Sequence, residues 1–142
     1  KFLNISSSSD VNMDQIFNFN NVVVDADSTF KALYCDNNQC KSKVIFSTLS
    51  ILNNNYAADD EYLFRLRDAT SLTLQDCYNI QDGMVCATSN NFKPCIYLSR
   101  CTMNSSSLAS IIHGQSNFYH ISTNGCLSIS TSIPITNYKI TI

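Results

Sequence analysis

Along most of this chain apolar side chains recur at every second position, with polar ones between them. In 61–67, Tyr62, Phe64 and Leu66 fall on one face, with Glu61, Arg65 and Arg67 on the other. Leu72 and Leu74 alternate with Ser71 and Thr73, and Leu127, Ile129 and Ile133 alternate with serines and a threonine. Residues 135–142 mix β-branched side chains with Tyr138. A period of two belongs to pleated strands with one dry face and one wet face. The segments 21–25, 29–35, 43–52, 84–88, 95–100 and 117–123 read as further strands. Only 10–19 and 107–113 read as helical. Many short strands divided by turn residues predict a mainly β domain, an antiparallel β-sandwich or barrel with one or two short helices.

At 142 residues the chain has the length of one domain. Residues 1–20 are polar, include the run Ser6–Ser9, and are expected to form a loosely ordered N-terminal segment; 21–142 form the β-rich domain. No internal repeat is detectable. Asp82-Gly83 is a type I′ hairpin signal that would align Gln81 with Met84 and Ile80 with Val85. Asn124-Gly125 is a second, pairing Thr123 with Cys126.

Seven cysteines is a high number for a cytosolic chain and an ordinary one for a secreted chain. None of their spacings is that of a zinc or dithiol motif, so the expectation is a disulfide-stapled domain. Around Asn37-Asn38 a two-residue hairpin would place Cys35 and Cys40 as a non-hydrogen-bonded pair, within bridging distance. Cys77 and Cys86 would be diagonal across the Asp82-Gly83 hairpin, too far apart to bond, and so would reach Cys95 and Cys101 in either order. Cys126 is left as a buried or intermolecular thiol.

The formal net charge is −2, charged residues make up 14%, and Glu61 is the single glutamate. With no basic footprint to neutralise phosphates, nucleic acid is not an expected partner. No apolar run is long enough for a helical membrane span. In place of charge the chain carries Asn and Ser, which favour turns and edges over helices. Asn4-Ile5-Ser6 and Asn104-Ser105-Ser106 are glycosylation sequons, making Asn4 and Asn104 acceptor sites of a glycoprotein.

Two motifs suggest other chemistry. Val22-Val23-Val24-Asp25-Ala26-Asp27-Ser28-Thr29 resembles the first motif of haloacid-dehalogenase-type phosphotransferases. The resemblance implies Asp25 as nucleophile, Asp27 as general acid/base and a magnesium ion between their carboxylates. It covers eight residues, and the family's later serine or threonine, lysine and acidic pair have no counterparts at suitable spacing. Asp10, Asn12 and Asp14 resemble the first half of an EF-hand loop, but Gln15 and Asn21 stand where glycine and glutamate are needed. Asp59, Asp60 and Glu61 form a further acidic run. His113 and His120 read as structural, and no catalytic constellation emerges.

The sequence therefore points to a non-enzymatic binding, adhesion or assembly module, secreted or displayed on a cell, appendage or virion. It would need no cofactor or metal and would meet a protein or glycan partner, with oligomerisation open. Loops 53–60 and 90–93 are the first places to look for contacts. The alternatives are a magnesium-dependent phosphohydrolase using Asp25, Asp27 and Thr29, and an extracellular structural subunit joined through Cys126.

Overall fold

The structure is a computed structural model that describes residues 2–5, 16–35, 42–52, 55–58, 60–67, 70–88, 94–104, 109–113, 119–124 and 138–141. For residues 88, 109, 119–124 and 138–141 it describes the backbone alone. The strands are β1 (Leu3–Ile5), β2 (Ile16–Val24), β3 (Leu33–Cys35), β4 (Lys43–Ile51), β5 (Phe64–Arg67), β6 (Ser71–Gln75) and β7 (Ile80–Gln81). They continue as β8 (Val85–Thr88), β9 (Cys95–Ser99), β10 (Met103–Asn104), β11 (Ile112–His113), β12 (Tyr119–Asn124) and β13 (Tyr138–Thr141).

Every pairing among the described residues is parallel. One sheet runs β1-β3-β5-β8-β11, a second runs β13-β12-β9-β6-β4-β2, and β7 pairs with β10 on a third face. Strands that meet in space are thus one coil apart in sequence, and the chain winds as a parallel β-solenoid with coils of about 20 to 30 residues.

The interior is built of columns, one residue per coil. Leu3, Leu33, Phe64, Val85 and Ile112 are successive register partners in the first sheet. In the second, Phe17, Val44, Leu72 and Ile96 share a column, with the backbones of Ile121 and Ile140 in the same register, and Phe19, Phe46, Leu74 and Leu98 form the next. Phe46 and Phe64, both fully buried, meet across the interior with ring centroids 5.5 Å apart.

A third regularity bends the coil. Asn21, Thr48, Asp76 and Arg100 have φ of 55°, 58°, 50° and 53°. Each follows a residue of the aligned set Asn20, Ser47, Gln75 and Ser99, so the left-handed residues stack at one corner. There the Arg100 guanidinium grips the Asp76 carboxylate at 2.7 and 3.1 Å, which holds that carboxyl below its usual range.

This architecture corrects the antiparallel sandwich or barrel. Alternation gave the strands but not their direction: a solenoid strand also has one dry and one wet face. Asp82-Gly83 closes no hairpin. Ile80 and Gln81 pair with Met103 and Asn104, while Val85 pairs with Phe64 and Ile112. Thr123 aligns with Leu98, while Gly125 and Cys126, and with them the Asn124-Gly125 hairpin, lie outside the described residues. Residues 16–19, expected to be helical, are strand; within 107–113 the described residues form a 3₁₀ turn, Ala109–Ile111, and then β11. The N-terminal twenty residues contribute β1 and the start of β2.

The disulfide-stapled framework is also corrected. No disulfide joins any two described cysteines, and Cys77, Cys86, Cys95 and Cys101 carry thiols. The hairpin that was to set Cys77 diagonal to Cys86 does not exist: Cys86 pairs with Arg65 and His113 on the first sheet, while the Cys77 backbone bonds the next coil at Thr102. Cys77 and Cys101 are fully buried on neighbouring coils, tied by Thr102 N–H donating to the Cys77 carbonyl at 2.9 Å. Burial, with Cys101 adding, pushes the Cys77 thiol far up. Cys40 and Cys126 lie outside the described residues, and with them the Cys35–Cys40 hairpin and the intermolecular thiol.

Candidate recognition patch on the first sheet

Stacking of coils lines up outward residues as strictly as interior ones. On the first sheet Asn4, Tyr34, Arg65, Cys86 and His113 are successive register partners, one from each of five coils. The alternation that buries Leu33, Phe64 and Val85 turns this neighbouring set outward. Two side chains from the segments leading into β3 and β5 fold over the ladder. Lys31 Nζ lies 3.9 Å from the centroid of the Tyr62 ring, and that ring is 5.9 Å from His113.

Arg65 is the hub. Its Nη1 lies 3.4 Å from the Tyr34 hydroxyl and 3.5 Å from the Tyr62 hydroxyl, and its guanidinium is 5.1 Å from the Tyr34 ring centroid. Such stacking suits guanidinium, whose weak hydration lets it sit against aromatic faces. Tyr62 and Cys86 are buried, whereas Lys31, Tyr34, Arg65 and His113 keep part of their surface in solvent. His113 Nε2 is buried with no hydrogen-bond partner among the described residues.

The electrostatics follow from partial burial. Desolvation lowers the Lys31 ammonium from its ordinary value, opposed by the negative charge of Asp60 and Glu61. Burial raises the Tyr62 phenol, opposed by the hydrogen bond and charge of Arg65. Lys31 also donates to the Asp60 carbonyl at 2.6 Å. That carbonyl belongs to a turn closed by the Glu61 carboxylate, which accepts from the N–H groups of Ala57 and Ala58 at 3.1 Å each. Loop 53–60, singled out from sequence, thus borders the patch through Asp60; residues 90–93 lie outside the described residues.

The other sequence-predicted groups lie elsewhere. Asp25 and Asp27 are exposed in the turn after β2, where one Asp27 oxygen accepts from both the N–H and the hydroxyl of Thr29. These bonds hold the Asp27 carboxyl below its usual range and commit it to its own turn. Asn4 and Asn104 are exposed, on β1 and β10. Asp10, Asn12, Asp14 and Asp59 lie outside the described residues; Asp60 and Glu61 serve the turn just described. Of His120 the structure gives the backbone, in register with Cys95.

Among the described residues no three His, Cys, Asp or Glu side chains gather as a metal site, and no helix is long and apolar enough to cross a membrane. Sequence reading missed the patch because its members are about 20 to 30 residues apart; only the coil register, unreadable without a repeat, brings Cys86 beside His113. No protein-family model matches the chain, and no curated protein and no solved structure matches it either.

Proposed function

We propose that this domain is a non-enzymatic recognition module, secreted or displayed on a cell, appendage or virion, which binds a protein or glycan partner through the patch of Lys31, Tyr34, Tyr62, Arg65 and His113. The supporting observation is the convergence of two tyrosines with an arginine and a lysine on a rigid ladder. Tyrosine and arginine dominate binding energy where they are held in place, because little side-chain freedom is lost on contact. Strands position such groups more firmly than loops do. The cations favour partners presenting carboxylate, sulfate or other electron-rich groups, and the rings offer faces to the apolar side of a sugar or peptide.

An extracellular setting is supported by the low charge and by the exposure of both sequon asparagines. The test is a screen of immobilised glycans and cell-surface proteins, followed by affinity measurement on the hits. Arg65→Ala and Tyr34→Ala should each weaken binding about tenfold or more, the cost of losing a central contact. A partner bound equally well by both variants, with their folds intact, would place recognition elsewhere.

A further inference from the structure

Cys86 is buried without belonging to the apolar core. It keeps 8% of its surface in solvent, whereas Cys77 and Cys101 keep none, and it stands apart from the cluster that encloses its chain neighbours Val85 and Ala87. What covers it is the patch on the first sheet. Arg65 precedes it and His113 follows it in the outward column, on strands about 4.8 Å away on either side. Lys31 and Tyr62, folded over the same column, both feel the Cys86 sulfur electrostatically. That sulfur acts on the Lys31 ammonium less strongly than Asp60 does, but more strongly than Glu61 or Asp27.

Two opposed effects act on this thiol. Burial disfavours the thiolate, as it does at Cys77, where a second thiol adds to the penalty. At Cys86 the covering groups are cations and polar rings instead of hydrocarbon. Attraction is mutual, so the sulfur that steadies the Lys31 ammonium is itself steadied as a thiolate by it. Arg65 adds a positive charge that is permanent near neutrality. The thiolate is the nucleophilic form of cysteine, and the reactive cysteines are those set beside Lys, Arg or His at a partly accessible surface.

His113 supplies an independent sign that this cluster accommodates a further group. Its ring packs 5.9 Å from Tyr62, on the strand next to Cys86, and its Nε2 is enclosed with no hydrogen-bond partner among the described residues. A buried polar atom in that state calls for a partner, and an incoming group that carries a donor or an acceptor provides one. Cations, an enclosed ring nitrogen and a thiol thus converge on one short stretch of the column.

We propose that Cys86 is a nucleophilic modification site, selective for small carbon electrophiles that carry a carboxylate or another negative charge. Lys31 and Arg65 draw the anion to the column. The thiolate then attacks the electrophilic carbon: a carbon–sulfur bond forms, the bond to the leaving group breaks, and the leaving group departs with its electron pair. The thiol proton goes to solvent. The site shares Lys31, Arg65 and His113 with the recognition patch, but its reactivity stands whether or not that patch binds a partner.

Iodoacetate and iodoacetamide share a leaving group and differ in charge, and together they test this on the intact chain. Alkylation rates are read cysteine by cysteine from mass spectra of its peptides. Cys95 is the internal reference, a more exposed thiol on the second sheet. The ratio of iodoacetate to iodoacetamide rates should be about tenfold higher at Cys86 than at Cys95, and should fall to the Cys95 value in urea-unfolded protein. Arg65→Gln and Lys31→Met should each lower the Cys86 ratio about threefold, whereas Arg65→Lys and Lys31→Arg, which keep the charge, should leave it high. Native against unfolded wild type reads the effect even where a variant fails to fold. A native Cys86 ratio no higher than that of Cys95 overturns the proposal. So does a Cys86 that neither reagent reaches, or a ratio that both charge-removing variants leave unchanged.

Discussion

Gly83 turns the chain from the third face into the first sheet at φ 71°, a conformation in which a side chain is strained. Space is short as well, since a Cβ there would press into the backbone carbonyl oxygen of Tyr56. The Gly83 N–H donates to the Ser110 carbonyl at 2.7 Å, tying this corner to the coil that follows. Gly83→Ala should therefore cost about 1–3 kcal/mol, from strain at positive φ together with displacement of Tyr56. Urea unfolding measures it, and an unchanged midpoint would show that the corner gives way freely. The need for glycine was legible in the pair Asp82-Gly83. What it was needed for was not. A left-handed residue serves a hairpin and a solenoid corner equally well, and nothing in the dipeptide tells which strand comes to lie alongside.

At the scale of the element, the corner stack of Asn21, Thr48, Asp76 and Arg100 shows how four chemically different residues hold one backbone conformation. Asparagine tolerates it through local hydrogen bonding, and Asp76 and Arg100 are held by their ion pair. Thr48 is the poor fit, because a β-branched side chain at φ 58° crowds its own backbone. Thr48 is exposed, so exchange leaves the core untouched. Thr48→Asn should raise stability by about 0.5–1 kcal/mol, visible as a higher unfolding midpoint. A lower midpoint would mean that the threonine side chain contributes something that outweighs the strain of its conformation. The strands themselves were largely legible, since β4, β5, β6 and β9 lie within segments where buried and less buried side chains alternate. Their parallel direction was not, and the reason is physical. Parallel strands covered on both faces read as continuous apolar runs, but in a solenoid the outer face is wet, and the pattern matches an antiparallel sheet. The recognition patch was hidden for the same reason: Tyr34, Arg65, Cys86 and His113 are neighbours only once coil length is known, and that length varies from coil to coil.

Across the whole molecule, each coil touches only the coils before and after it, so stability is close to a sum of coil terms and coil–coil interfaces. A middle coil has two interfaces and an end coil one. Leu74 in β6 is buried between Phe46 and Leu98, whereas Phe19 in the first coil stacks on Phe46 at 5.1 Å on one side and touches the exposed ring of Phe2 on the other. Leu74→Ala should empty a fully enclosed volume and cost about 2–5 kcal/mol of global stability. Phe19→Ala leaves a gap beside β2, which has a strand partner on one side only among the described residues, so local opening can relieve it and its effect should concentrate there. Hydrogen exchange separates the two. Amides of β2 should exchange by local opening and speed up further in Phe19→Ala while β6 keeps its protection. In Leu74→Ala, β6 and its neighbours β4 and β9 should lose protection together. Should β2 prove as protected as β6, and equally so in both variants, the coils unfold as one unit and the sum of coil terms does not describe this chain.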